Sequence, residues 1–215
     1  MFPRLNNVFA RLEKQVLSSG LYKRTRSLIA GGQHNVSNLM YTIFTTATLA
    51  GYAFQQEVFK QPSAITRAAL EQWRDEATDY ARARQSTAST LLPSLVTASA
   101  LYWLAIAAGQ GMKQGFGNGQ RSSADENDAQ FKTWVRTARR FEPRRHSNLE
   151  GVTLPIDSLF RLPNGSRVYQ PHDWERYPNP AEWVHCGHGL IYTQTATRQD
   201  LQRAFQEGQQ RRVQA

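Results

Sequence analysis

Two long stretches of this chain carry no formal charge, and they limit what it can fold into. Ser27–Gln56 runs for thirty residues without Asp, Glu, Lys or Arg, and Gln85–Met112 for twenty-eight. One residue in five is charged across the 215 residues, so runs of this length mark segments enclosed by apolar surroundings. Inside them lie Val36–Phe54 and Thr90–Ala108, nineteen residues each. That is close to the ~20 residues that carry an α-helix across ~30 Å of hydrocarbon. Two core helices in a water-bathed all-α protein are the alternative. They would need more apolar enclosure than a chain with 40% hydrophobic residues offers elsewhere, since the usual content is ~45–50%.

The expectation is a mainly α protein built on a two-span transmembrane helical hairpin, spans about 36–54 and 90–108. A basic amphipathic arm precedes it in residues 1–30, and a helix over 63–84 connects the spans. After the hairpin come a flexible linker at 111–128 and a soluble peripheral tail at 129–215, extended, partly irregular and containing a short β-hairpin. Small residues four apart within or beside the spans (Ala47 and Gly51, Ser94 and Ala98, Ala105 and Gly109) suit close helix approach in lipid and are the expected helix-packing positions. Pro93 would kink the second span near its start.

In the arm, Arg4, Arg11, Lys14, Lys23, Arg24 and Arg26 face one acid, Glu13, while Leu5, Val8, Phe9, Leu12 and Val16 recur at helical spacing. The acid-poor, basic pattern resembles a mitochondrial targeting sequence, retained as an address or lying along a membrane or partner. Lys/Arg counts on the arm and the connecting segment differ little, and the net positive charge of both ends favours termini in the matrix. In the connecting segment Ile65, Ala69, Trp73 and Ala77 form one apolar stripe, with Leu70 and Tyr80 on its flank. The linker assignment comes from composition, because five glycines fall within residues 109–119.

Farther on, Arg136, Arg139, Arg140, Arg144 and Arg145 crowd around Trp134 and Phe141, part of a short helix ending before Pro143. These arginines with Trp134 form the candidate lipid- or partner-binding patch, suited to cardiolipin phosphates or to acids of a neighbouring subunit. Asn164-Gly165 lies between short apolar runs, the composition of a tight hairpin. A final helix is expected over 198–209.

No catalytic signature is present. The glycines at 109–119 do not spell a phosphate-binding loop. His185-Cys186-Gly187-His188, with His172 upstream, is the one cluster of metal-ligating types. It lacks a second Cys and the two separated ligand pairs usual for zinc, so these four residues are weak candidates and no metal or cofactor is expected. A single cysteine also excludes an internal disulfide.

The function these features favour is a non-catalytic accessory subunit of a mitochondrial inner-membrane oxidative phosphorylation complex, either a respiratory-chain complex or ATP synthase. Such a subunit would be multi-pass and would wrap neighbouring subunits, with cardiolipin as an anionic lipid partner. The alternatives are an RNA-associated mitochondrial ribosomal protein, favoured by the net charge of +9, and a membrane-bound translocase or enzyme component. The uncharged windows oppose nucleic acid as a partner. They also lack the intramembrane ionisable groups that a translocase would use.

Overall fold

The computed structural model describes residues 5–62, 64–136, 146–173, 176–177 and 186–196. Five helices come first: α1 (Leu5–Ser18), α2 (Gly20–Ala30), α3 (Ser37–Phe59), α4 (Arg67–Leu91) and α5 (Thr97–Glu126). Among the described residues two small sheets follow. Strands β1 (Phe131–Arg136), β2 (Thr153–Pro155) and β5 (His188–Thr193) form an antiparallel sheet in the order β2-β1-β5. Strands β3 (Phe160–Arg161) and β4 (Arg167–Val168) form a separate hairpin. Its turn places Gly165 at φ 88°, a left-handed conformation that glycine adopts without a Cβ penalty.

Both charge-free windows are helical, but neither crosses a membrane. Among the described residues no helix is long and apolar enough to do so, which overturns the transmembrane hairpin and, with it, the multi-pass inner-membrane placement and matrix-facing termini. The apolar residues of α3 and α5 are consumed by each other. A Cβ on Gly51 would lie 2.0 Å from the backbone oxygen of Phe116, on Gly115 2.5 Å from that of Phe44, and on Gly119 1.9 Å from that of Thr48. The pairs Phe44–Gly115, Thr48–Gly119 and Gln56–Asn127 advance together along the chain, so α3 and α5 run parallel and touch backbone to backbone. Such proximity lets two helices enclose one another with little material from the rest of the chain.

The glycine-rich segment is therefore the middle of a 30-residue helix and not a linker. Glycine there costs helix propensity of about 1 kcal/mol per residue, which the close contact offsets. Pro93 sits in the short 3-10 turn Leu92–Ser94 that ends α4, so the second window is split between two helices and no span is kinked.

The rest of the helical core follows from the stripes in the sequence. Trp73, Ala77 and Tyr80 of α4 are buried; the Trp73 indole donates to Ser122 Oγ (2.9 Å) and the Tyr80 hydroxyl to the Ala107 carbonyl (3.0 Å). In the arm, α1 and α2 part at Ser19, whose Oγ accepts from the Tyr22 N–H and caps α2. Leu12 and Val16 are buried and Phe9 stacks on Phe116 with centroids 4.6 Å apart. The amphipathic arm thus spends its apolar face inside the protein and leaves Arg11, Lys14, Lys23, Arg24 and Arg26 exposed.

The C-terminal part has its own core around Trp134, Phe160, Leu162, Val168, Leu190 and Tyr192. Phe131–Arg136, the first part of the stretch expected to contain a short helix, is a strand that pairs with both β2 and β5, and the rest of that stretch lies outside the described residues. The outer edge of β5 meets the helices, and edge strands present unpaired backbone groups that need partners. Gln55 of α3 supplies both: its Nε2 donates to the Tyr192 carbonyl (2.8 Å) and its Oε1 accepts from the Tyr192 N–H (3.3 Å). Gln120 of α5 donates to the Leu190 carbonyl (2.8 Å). Two glutamines thereby extend the sheet onto the bundle. The final helix expected over 198–209 lies outside the described residues.

Candidate metal centre

Strand pairing brings together residues that are far apart in sequence. In the β1–β5 register Arg136 lies opposite His188, so the segment leading into β5 ends where β1 ends. The chain returns to the same place at His146, which precedes a 3-10 turn over Ser147–Leu149. Gly151, at φ 78°, reverses the chain and donates its N–H to the Trp134 carbonyl (2.8 Å), while the Trp134 N–H reaches the Val152 carbonyl (3.0 Å). These bonds pin the 146–152 loop against β1.

The outcome is a cluster of His146, Cys186 and His188, whose ligand atoms all lie within 4.8 Å of one another. Cys186 Sγ is 3.7 Å from His146 Nδ1 and 3.4 Å from His188 Nδ1. A zinc ion bound at ~2.3 Å to sulfur and ~2.0–2.1 Å to nitrogen, at tetrahedral angles, would hold S and N about 3.6 Å apart. The two observed sulfur–nitrogen separations match that span. The three side chains are only 2%, 2% and 4% exposed.

The surroundings suit a cation as well. His188 Nε2 lies 3.0 Å from Glu150 Oε1, so with Nδ1 turned to the cluster the ring can donate its other N–H to a carboxylate, the usual outer partner of a metal-bound histidine. Burial holds His188 below its ordinary pKa, with Glu150 pulling the other way. A ring kept neutral presents a lone pair. Trp134, fully buried, forms an apolar wall with its ring 5.9 Å from both imidazoles. Sulfur with two imidazole nitrogens is a donor set suited to zinc and ill-suited to magnesium or calcium, which prefer oxygen.

His172 stands just outside. Its Nε2 lies 3.2 Å from the Cys186 carbonyl, which also accepts a hydrogen bond from Lys113 Nζ of α5. Burial, reinforced by the Lys113 charge, drives the His172 pKa well below its usual value. His172 therefore holds the backbone of a ligand and is not itself a member of the triad.

The sequence-derived candidates are redistributed accordingly. Cys186 and His188 meet, His172 supports them, and His185 lies outside the described residues. His146 and Glu150, which complete the centre, were not singled out in the sequence; the only local signal is their H-x-x-x-E spacing. Of the arginine patch, Arg136 sits 4.0 Å from Glu150, Trp134 is core and not surface, and Arg139, Arg140, Arg144 and Arg145 lie outside the described residues.

The helix-packing candidates separate too. Ala47 and Gly51 face α5, and Ala47 Cβ would lie 3.2 Å from a Cβ on Gly115. Ser94, Ala98 and Ala105 are exposed, and nothing lies within 4 Å of where a Gly109 side chain would be.

Comparison with known protein families, curated proteins and solved structures finds no match. The chemistry of the centre has to speak for itself.

Proposed function

We propose that this is a non-catalytic structural protein whose C-terminal sheet is fastened to a helical bundle by one zinc-class ion held by His146, Cys186 and His188. The observation that carries this is the match between the sulfur–nitrogen separations and a tetrahedral ion, with Glu150 placed behind His188. A structural use is favoured over a catalytic one by closure. A cavity of about 690 Å³ lined by α4, α5 and residues such as Tyr169 and Asp173 includes none of the three ligands, and the one that His188 borders holds only about 20 Å³. Three ligands leave a fourth position on the ion, but with His146, Cys186 and His188 all buried that position faces the protein interior, whereas a catalytic zinc needs it open to substrate.

The ion would tie together the end of β1, the loop at 146–150 and the start of β5. Lys113 then links Cys186 to α5, so one centre couples sheet and bundle. With no helix among the described residues able to cross a membrane, the case for an inner-membrane respiratory or ATP synthase subunit loses its two spans. What carries forward is the coarser role, an accessory component of a larger assembly.

Metal analysis of the purified protein tests this directly. One zinc per chain is expected, and Cys186→Ala or His188→Ala should abolish stoichiometric retention. Cobalt substitution of the wild type should give a thiolate-to-cobalt charge-transfer band that Cys186→Ala removes. Protein that retains no metal and takes up neither zinc nor cobalt stoichiometrically would refute the proposal.

A further inference from the structure

The two ends of the helical bundle differ in charge. At the far end the Tyr52 hydroxyl bonds Glu126 and the Ala64 carbonyl, so the end of α3, the start of α4 and the end of α5 meet there. Glu57, Glu71, Glu76, Asp125 and Glu126 all belong to that half. At the near end Gln85 of α4 accepts from the N–H groups of Val36 and Ser37 and donates to the His34 carbonyl. The last turns of α4, the start of α3 and the first turns of α5 are gathered there, and all of these segments come from the two charge-free runs. The last acid on α4 is Asp79, three turns back and bonded to Arg82 (2.8 Å). Beside this end lies α2, packed on α5, with Lys23, Arg24 and Arg26 exposed and no acid of its own.

Apolar side chains are exposed at the same end. Val96, at the turn into α5, is 72% exposed and Tyr102 59%; Leu91 also faces outward. Isolated exposed apolar residues need no explanation, but here they occupy an acid-free tip bordered by basic residues. Exposed apolar side chains, a tyrosine and a basic helix packed on the same α5 are the components of a membrane interface, where aromatic rings lie at headgroup level and cations meet lipid phosphates.

We propose that the near end of the bundle is a docking surface for an anionic lipid bilayer. Leu91 and Val96 enter the interface, Tyr102 lies at headgroup depth, and Lys23, Arg24 and Arg26 supply the attraction. The protein lies on the bilayer and does not span it. None of these residues belongs to the metal centre.

Flotation of the full chain with vesicles tests it, using phosphatidylcholine alone and phosphatidylcholine with a quarter of phosphatidylglycerol. Binding should require the anionic lipid and weaken as salt rises. Val96→Asp should lower it about tenfold or more, as should Lys23→Glu with Arg24→Glu, given a tenfold change for roughly each charge or two removed near the surface. Leu70→Asp, an exposed apolar site in the half that holds the acids, should leave binding unchanged. All of these side chains are exposed, and matching thermal melts will show that each variant is folded. Failure to float with anionic vesicles, equal binding to both vesicle types, or anionic binding that Val96→Asp and the charge reversal leave intact would each overturn the proposal.

Discussion

The helical bundle and the C-terminal sheet are held together by different physics. In the bundle, α3 and α5 approach until backbones touch, and the polar side chains buried there are uncharged: Thr25, Thr48, Gln55, Gln56, Gln110, Gln120 and Ser123. In the sheet region the strands are two, three or six residues long, and the buried set includes Lys132, His146, His172, Asp173 and His188. Close packing is unforgiving of added volume but needs no ligand. A small core with buried ionisable groups tolerates irregular backbone but depends on each such group keeping its partner. The bundle should therefore fail when atoms are added, and the sheet when a partner is removed.

The largest effect belongs to the helix crossing. Gly119→Ala places a methyl 1.9 Å from the Thr48 oxygen and 2.7 Å from the Tyr52 nitrogen, so α3 and α5 must move apart along their whole contact. A loss of at least ~4 kcal/mol is expected in chemical denaturation, among the most severe effects for one methyl group. Gly109→Ala, ten residues earlier in the same helix, meets nothing within 4 Å and should instead gain about 0.5–1 kcal/mol. If the two substitutions behaved alike, helix propensity and not interhelical contact would govern these glycines.

Metal removal comes next in size. Chelation of the zinc-loaded protein should speed amide exchange in β1 and β5 about a hundredfold, equivalent to ~3 kcal/mol of lost local stability. The central turns of α3 and α5 should keep their protection, because the bundle core contains no ligand of the centre. Equal loosening of both regions would show that they unfold as one unit. An unaffected sheet would mean that the ion does not fasten it.

What was legible in the sequence follows the same division. The uncharged windows, the α4 stripe at Trp73, Ala77 and Tyr80, and the Asn164-Gly165 turn announce themselves locally, since each depends on neighbours a few residues away. The windows still misled. Their enclosure comes from Gly115 and Gly119, whose four-residue spacing with Gly111 was present but read as linker composition. Whether spaced glycines mean a loose chain or a tight contact is decided by the partner helix, which is sixty-odd residues away in sequence. The metal centre was half visible for a similar reason. Cys186 and His188 are two residues apart, but His146 joins them only through the β1–β5 register, a long-range pairing that no local pattern reports.

Lys132 gives the smallest and most specific test of the contrast. It lies opposite Tyr192 in the β1–β5 pairing and is wholly buried, and among the described residues its ammonium has no hydrogen-bond acceptor. The rings of Tyr169 and Phe160, at 4.3 Å and 5.4 Å, offer cation–π attraction. That is worth ~0.5–2 kcal/mol and falls short of the cost of burial. Burial, with the Arg121 charge adding to it, lowers the Lys132 pKa to about 7. Between that value and the ordinary 10.5 the unfolded chain holds a proton that the folded chain lacks, so folding stability rises with pH across this window. Below about 7 both states are charged and the folded state bears the full burial cost. Lys132→Met keeps the shape and removes the charge, and should stabilise the protein by about 2 kcal/mol at pH 6, with a smaller gain at pH 9. Parallel stability–pH curves for the two proteins between pH 7 and 10 would show that the lysine stays charged in the core, held there by the two rings and by Asp157 and Asp173.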